Sequence, residues 1–350
     1  MSALYEAPVY KVYGRKPVKG LRFGIEVEME PILNQPPAIN REYQSIWDYK
    51  GDGSLRNHGI EAITSPITLD RLDQAMEEFT ESLDLDSFDP TSPRTSVHVH
   101  VNYSDKTLSQ VTNAVCLYIL FEDLLLELSG RTRKGNNFAL PISSAEGFID
   151  DLAYALKKNE IIRFDNNARY ASLNLCSLRT FGTIEYRSMR GLTNVNDIRA
   201  WVLLLSSFYE VSVKYNNPKE MFADSVDNII PPRLFDFFSK DRIMEVYNSN
   251  LSNALALSYT HKTRWDFSKP DCDIRLNKPF IEWYCNARGI SIDQVYQIQT
   301  RDLELSLAKY ERETVMKAPD SEAFVTNFNQ ERIRIRGNEL WLQIDDIEVV

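Results

Sequence analysis

The sequence lacks most of the features that assign a function at a glance. Cysteine occurs only four times in 350 residues, at Cys116, Cys176, Cys272 and Cys285, and no two form a C-x-x-C pair. That spacing excludes a zinc knuckle and gives no disulfide framework. Cys116 lies in an apolar helical run and is expected to be a buried free thiol. Neither G-x-x-x-x-G-K-[ST] nor G-x-G-x-x-G occurs, so an ATP site would have to rest on metal bridges and sheet-face arginines. There is no polybasic tail, and the formal charge of −10 argues against nucleic acid, whose binding needs a basic field to displace counterions. The most apolar stretch, Ala114 to Leu128, is interrupted by Glu122 and Asp123, too short and too charged to span a bilayer. Residues 1–20 carry no apolar signal core, and a reducing cytoplasm is the expected location.

What is present is an ordinary folding composition, 43% apolar and 26% charged, sufficient for a sizeable core. Phe23, Ile25, Val27 and Met29 alternate with Glu26, Glu28 and Glu30, and this period of two predicts a strand. Glu30, at the strand end before Pro31, is expected in solvent. Further strands are predicted at Ser45–Tyr49, which runs into the turn Gly51-Asp52-Gly53-Ser54, at Ile60–Thr64 and at Ser96–Tyr103. A hairpin of Tyr170–Leu178 and Thr183–Met189 turns around Phe181-Gly182. Helical spacing covers Leu69–Leu83, Leu108–Leu128, Ala145–Lys158 and Asp197–Tyr215, and Arg131–Asn137 reads as a mobile loop. Residues 1–216 are expected to form an α/β catalytic unit, and 217–350 a mostly helical accessory region.

Four segments carry chemistry. Glu26 and Glu28 lie two apart on one strand face, about 7 Å apart at the backbone, where like charges repel unless a cation intervenes. Glu61 sits in a short apolar run, and a half-buried carboxylate needs a partner or a metal. His98 and His100 share a face between three valines, an H-x-H arrangement able to offer nitrogen to one ion. Glu185 and Arg187 share another face, either as a salt bridge or as a metal carboxylate beside a guanidinium for a phosphoryl group. Each segment alone also reads as a solvated strand or a satisfied core group. Together, three carboxylate strands and one histidine strand lining one sheet face give oxygen-rich ligation with nitrogen, which suits Mg²⁺ or Mn²⁺ rather than zinc. Divalent ions with arginines are the equipment of phosphoryl transfer.

In this order, FGIEVE (Phe23–Glu28), DGSL (Asp52–Leu55), GIEAITSP (Gly59–Pro66), HVHVN (His98–Asn102) and GTIEYRS (Gly182–Ser188) resemble the amidoligases. These are relatives of glutamate–cysteine ligase and glutamine synthetase and are frequent in phage genomes. The resemblance covers roughly residues 20–210 and rests on the spacing of the set. It implies an α+β fold, with a curved, mainly antiparallel sheet of the glutamine synthetase/glutamate–cysteine ligase type, flanking helices, and ATP with Mg²⁺ or Mn²⁺ on the concave face. It further implies Glu26, Glu28, Glu61, Glu185 and one of His98 and His100, with His100 favoured, as metal ligands. Arg187 would contact phosphate, and Asp52 and Ser54 would serve the amine or substrate site, with Asp52 taking the ammonium proton. Arg169, Asn174 and Arg190 would serve nucleotide or substrate. The implied reaction joins a small-molecule or peptide carboxylate to an amine through an acyl phosphate, in the host cytoplasm if the chain is phage-encoded. The loop Arg131–Asn137 would cover the site. Oligomeric state stays open. Two other readings stand beside this one: a His/His/Glu iron or manganese enzyme built on His98 and His100, and an inactive, virion-associated or binding protein of the same fold.

Overall fold

The computed structural model describes residues 4–43, 45–130, 133, 139–142, 151, 152, 155, 160, 161, 169–260 and two short strands at 333–335 and 338–340. After a single helical turn, α1 (Val9–Val12), come β1 (Phe23–Met29), β2 (Trp47–Gly51), β3 (Ile60–Thr64), α2 (Leu72–Ser82), β4 (Ser96–Asn102) and α3 (Leu108–Ser129). β5 (Leu173–Asn174), α4 (Ser177–Thr180), β6 (Thr183–Arg190) and α5 (Val195–Lys214) follow. Then come α6 (Pro218–Ala223), α7 (Val226–Ile229), α8 (Lys240–Thr260) and a separate antiparallel pair, β7 (Ile333–Ile335) and β8 (Asn338–Leu340). The fold is α+β: β1–β6 form one open antiparallel sheet in the order β2-β3-β1-β4-β6-β5, flanked by helices.

Alternation decides which face of the sheet does what. Phe23, Ile25, Val27 and Met29 of β1, Val97, Val99 and Val101 of β4, and Ile184 and Tyr186 of β6 are buried in one core with α2, α3 and α5. The residues between them, Glu26 and Glu28, His98 and His100, and Glu185, therefore project from the opposite face. α3 is buried on nearly all sides, because the sheet, α5 and α8 all pack against it. Its start is a capping box: Thr107 Oγ1 accepts from Gln110 N (3.1 Å) and Gln110 Oε1 accepts from Thr107 N (3.1 Å). The cap is thus Thr107, and Gly130, with φ of 84°, ends the helix. Cys116 is buried and unpaired on α3, and burial pushes its thiol well up. The helices after residue 217 share this core: Asn250 Nδ2 donates to Leu120 O (3.4 Å) and Arg242 pairs with Glu127 (2.9 Å). No helix among the described residues is long and apolar enough to cross a membrane.

Three expectations are corrected. The strand before β6 shrinks to Leu173–Asn174, and Ser177–Thr180 is helical, because Asn174 turns the chain by accepting Cys176 N on Oδ1 (2.8 Å) and Ser177 Oγ on its carbonyl (3.0 Å). Glu30 is buried rather than in solvent. Its Oε1 accepts Arg56 N and its Oε2 accepts Ser92 Oγ, both at 2.7 Å, so it ties the turn after β2 to the loop before β4. β2 itself runs later than expected, Trp47–Gly51, because Glu78 of α2 gathers the N–H groups of Ser45, Ile46 and Trp47 (2.7, 2.6 and 3.0 Å) ahead of it. Most of the helix expected at Ala145–Lys158 and most of the Arg131–Asn137 loop lie outside the described residues.

Candidate functional site

Register brings the predicted side chains onto neighbouring strands. Glu26 of β1 lies opposite His98 of β4, and His100 of β4 lies opposite Glu185 of β6. On the other side of β1, Glu28 faces Glu61 of β3, which faces Lys50 of β2. Paired residues in an antiparallel ladder point to the same face with Cβ atoms about 5 Å apart, so these side chains share one face across five strands, on three successive rungs. Gly24 stands opposite His100, and a Cβ there would lie 3.5 Å from that of His100.

Glu26 and Glu185 each bridge both imidazoles. His100 Nε2 lies 3.3 Å from Glu26 Oε1 and 3.7 Å from Glu185 Oε2. His98 Nδ1 lies 3.3 Å from Glu26 Oε2 and 3.6 Å from Glu185 Oε1. Burial alone would push the Glu26 carboxyl up, but the hydrogen bonds and charges of His100 and His98 outweigh it and hold the group well below the usual carboxylate range. Glu185 is likewise lowered, against its burial, by Arg187 and the two histidines. His100 is raised, because Glu26 and Glu185 favour its charged form more than burial disfavours it.

The two histidines are not equivalent. Ser96 Oγ is hydrogen-bonded to Glu28 Oε2 and lies 2.7 Å from His98 Nε2. With its single proton given to the carboxylate, it accepts from His98 Nε2–H. His98 Nδ1 lies 3.4 Å from Arg187 Nη1 and 3.3 Å from Glu26 Oε2, so both nitrogens of His98 are engaged by protein groups. His100 instead has Nδ1 held by Thr183 Oγ1 at 2.9 Å, which fixes the ring and aims Nε2 between the two carboxylates. One ligand atom from each of Glu26, His100 and Glu185 lies within 4.8 Å of the others. Two carboxylates and one imidazole make an oxygen-rich set that fits Mg²⁺ or Mn²⁺. The iron triad has the opposite ratio, two imidazoles to one carboxylate.

Glu185 is also anchored from its flanks, by Asn174 Nδ2 on Oε2 (2.6 Å) and Arg187 Nη1 on Oε1. Arg187 Nε is buried without a hydrogen-bond partner. A β-bulge aims Arg187: Val97 pairs with Met189 but Val99 with Tyr186, so Arg187 and Ser188 together oppose His98. Because of the bulge, Arg190, three residues on and opposite Ser96, shares the face of Arg187.

The remaining expected residues lie farther out. Glu61 is half-buried, with Lys50 Nζ 3.8 Å away. Burial and the charges of Glu26, Glu28 and Asp52 push it up to about 7 despite Lys50. Asp52 follows β2 in the turn, where its Oδ1 accepts Ser54 N at 2.8 Å, and Ser54 is exposed with its carbonyl taken by Arg94 (3.0 Å). Arg190 donates to Leu128 O (3.1 Å) at the end of α3, and Arg169 is exposed and bonded to Tyr170 Oη (2.7 Å). Neither joins the Glu26–His100–Glu185 group.

Three contributors escaped the sequence reading. Ser96 and Thr183 extend the period-two faces of His98/His100 and Glu185/Arg187 by one step, and that signal was available. Arg133 had none: it is 1% exposed, and its guanidinium donates to Ser188 O (3.2 Å) and Arg187 O (2.7 Å), the two carbonyls of the bulge. Burial lowers it to about 10, with Glu28 opposing that shift and Arg187 adding to it.

Comparison with known proteins agrees with the reaction class. A family profile described as "Putative amidoligase enzyme" matches residues 33–209, a span that includes Asp52, Glu61, His98, His100, Glu185 and Arg187 but begins after β1. No curated protein matches the sequence. Among solved structures, glutamate–cysteine ligase from Francisella tularensis in complex with AMP aligns at 11% identity over 88% of this chain and 97% of that one, with a TM-score of 0.34. That similarity is too low to bear on fold or chemistry. The profile match extends over half of the 350 residues, and the chain belongs to the amidoligase family.

Proposed function

We propose that the chain is an ATP-dependent ligase that joins a carboxylate to an amine through an acyl phosphate. Family membership supports the ligase class, and the convergence of Glu26, His100 and Glu185 is the observation that carries the metal-dependent form of it. In this reading those three residues hold Mg²⁺ or Mn²⁺, with Glu28 and Glu61 continuing the anionic floor. A divalent ion bound there supplies charge neutralisation for phosphate oxygens. Arg187, tied to Glu185 through Nη1 and with Nε unpartnered, offsets charge on the transferring phosphoryl group. Asn174 and Thr183 act behind the ligands, fixing Glu185 and His100.

The donor carboxylate attacks the γ-phosphorus of ATP, the bond to the bridging oxygen breaks, and ADP leaves. The amine then attacks the acyl carbon, phosphate departs, and a proton is lost from nitrogen. Asp52, in the turn beside Glu61, is the group assigned to that proton. The substrates are a small-molecule or peptide carboxylate and an amine.

The test is phosphate release from ATP with Mn²⁺ or Mg²⁺ against pools of amino acids and peptides, with Glu28→Ala and Glu185→Ala as controls. Turnover that needs the ion and an acceptor, and is lost in both variants, is expected. Full activity in both variants, or iron binding with indifference to ATP, overturns the reading.

A further inference from the structure

Phe181 is the most exposed large apolar side chain among the described residues, at 64%, yet it stands against the cation-site histidine. Its ring meets that of His100 at 88° with centroids 5.6 Å apart. We propose that Phe181 is the platform on which the base of a nucleotide stacks while the phosphates reach the Glu26–His100–Glu185 group. This inference rests on the ligase reading above.

Three observations point this way. First, the backbone that carries the ring is held, and the ring edges onto His100. Phe181 N donates to Ser177 O (2.8 Å), and Gly182 N to Ser177 O and Leu178 O (both 3.1 Å), while Ser177 Oγ donates to Thr183 O (2.7 Å). Gly182 has φ of +75°, and a Cβ there would lie 2.7 Å from that of Ser104, so only glycine fits that position. An exposed aromatic on a fixed turn gives contact area at little backbone cost.

Second, His100 links the ring to the anionic floor: it meets the carboxylates through Nε2, Thr183 through Nδ1 and Phe181 through its ring. A ligand seated on the cation site therefore passes within reach of Phe181. Third, the turn that carries the ring also carries positive charge. Arg179 is exposed two residues before Phe181, and exposed Arg15 donates from Nε to Arg179 O (2.8 Å). An exposed π-face on a turn bearing arginines, beside a site for a divalent ion, matches a base carrying a polyphosphate.

The experiment separates base from phosphates. The full chain, with Mn²⁺, is titrated calorimetrically with ATP and with inorganic tripolyphosphate, for the wild type, Phe181→Leu and Phe181→Trp. Wild type is expected to bind ATP more tightly than tripolyphosphate. Phe181→Leu weakens ATP roughly 5- to 100-fold and leaves tripolyphosphate within about twofold. Phe181→Trp retains ATP affinity, and its fluorescence is quenched by ATP but not by tripolyphosphate. If Phe181→Leu weakens both ligands alike, the residue acts only through His100 and the inference is wrong. If it changes neither, or changes only the affinity for the acceptor, the inference is equally overturned. Failure of wild type to bind either ligand refutes the ligase reading itself.

Discussion

Replacing Glu61 with glutamine removes one carboxylate from the crowded face while keeping its shape. Glu61 is pushed from an ordinary 4.5 to about 7 by burial and by Glu26, Glu28 and Asp52, with Lys50 opposing. Its side chain is 22% exposed. In the unfolded chain the group loses its proton near 4.5, and in the folded metal-free protein near 7. Between those values the native state holds the extra proton, so stability falls as pH rises, and the cost is complete above about 7. At 1.36 kcal/mol per pH unit the displacement corresponds to about 3 kcal/mol at most; partial exposure and the Lys50 contact screen it to roughly 1–2 kcal/mol. Glu61→Gln, in chelator, should therefore leave the melting temperature nearly unchanged at pH 5. At pH 8 it should raise it by about 2–6 °C for a cooperative unit of this size. Scanning calorimetry at the two pH values measures this. An equal gain at both, or a loss at pH 8, refutes the claim that the face is overcharged around Glu61.

Asn174→Ala leaves every proposed ligand in place but frees Glu185 Oε2, and Mn²⁺ affinity measured by electron paramagnetic resonance should fall by about 10–100-fold. Arg133→Met strips two charge-assisted hydrogen bonds from the β6 bulge and leaves buried carbonyls unpaired, a loss of roughly 2–4 kcal/mol in thermal unfolding. Arg133→Lys should recover only part of it, because an ammonium lacks the fork that spans both carbonyls. Glu78 accepts from the Ser45 hydroxyl and from the Ser45, Ile46 and Trp47 N–H groups, and these bonds lower its carboxyl although burial raises it. Glu78→Ala is expected to destabilise by about 3 kcal/mol at pH 7. The difference from wild type should shrink as acid protonates Glu78, and chemical denaturation at pH 7 and pH 3 checks both statements.

Periodicity in the sequence was enough to find β1, β3, β4, β6 and α5, because each buries one face against a core and a strict repeat of two or 3.6 leaves little freedom; α3, buried on nearly all sides, showed instead as a long apolar stretch. The same repeat put Glu26 with Glu28, His98 with His100, and Glu185 with Arg187. It failed where local side-chain bonds override pattern. Asn174 and Ser177 cut short the strand expected at Tyr170–Leu178, and Glu30 found partners in Arg56 and Ser92 from two different loops.

The sequence by itself therefore determined which side chains share a strand face, since that is a property of consecutive residues. It could not determine which strands are neighbours, and neighbours set the chemistry. The order β2-β3-β1-β4-β6-β5 places Glu26 and Glu185 on either side of β4 and leaves Glu61 one strand farther out. The tertiary structure also gave the two histidines different partners, Ser96 and Arg187 for His98 and Thr183 for His100. It chose Arg133 from a run of basic residues, because a single guanidinium fits over the carbonyls that the bulge exposes. Long-range pairing and burial made those choices, and neither is encoded in local spacing.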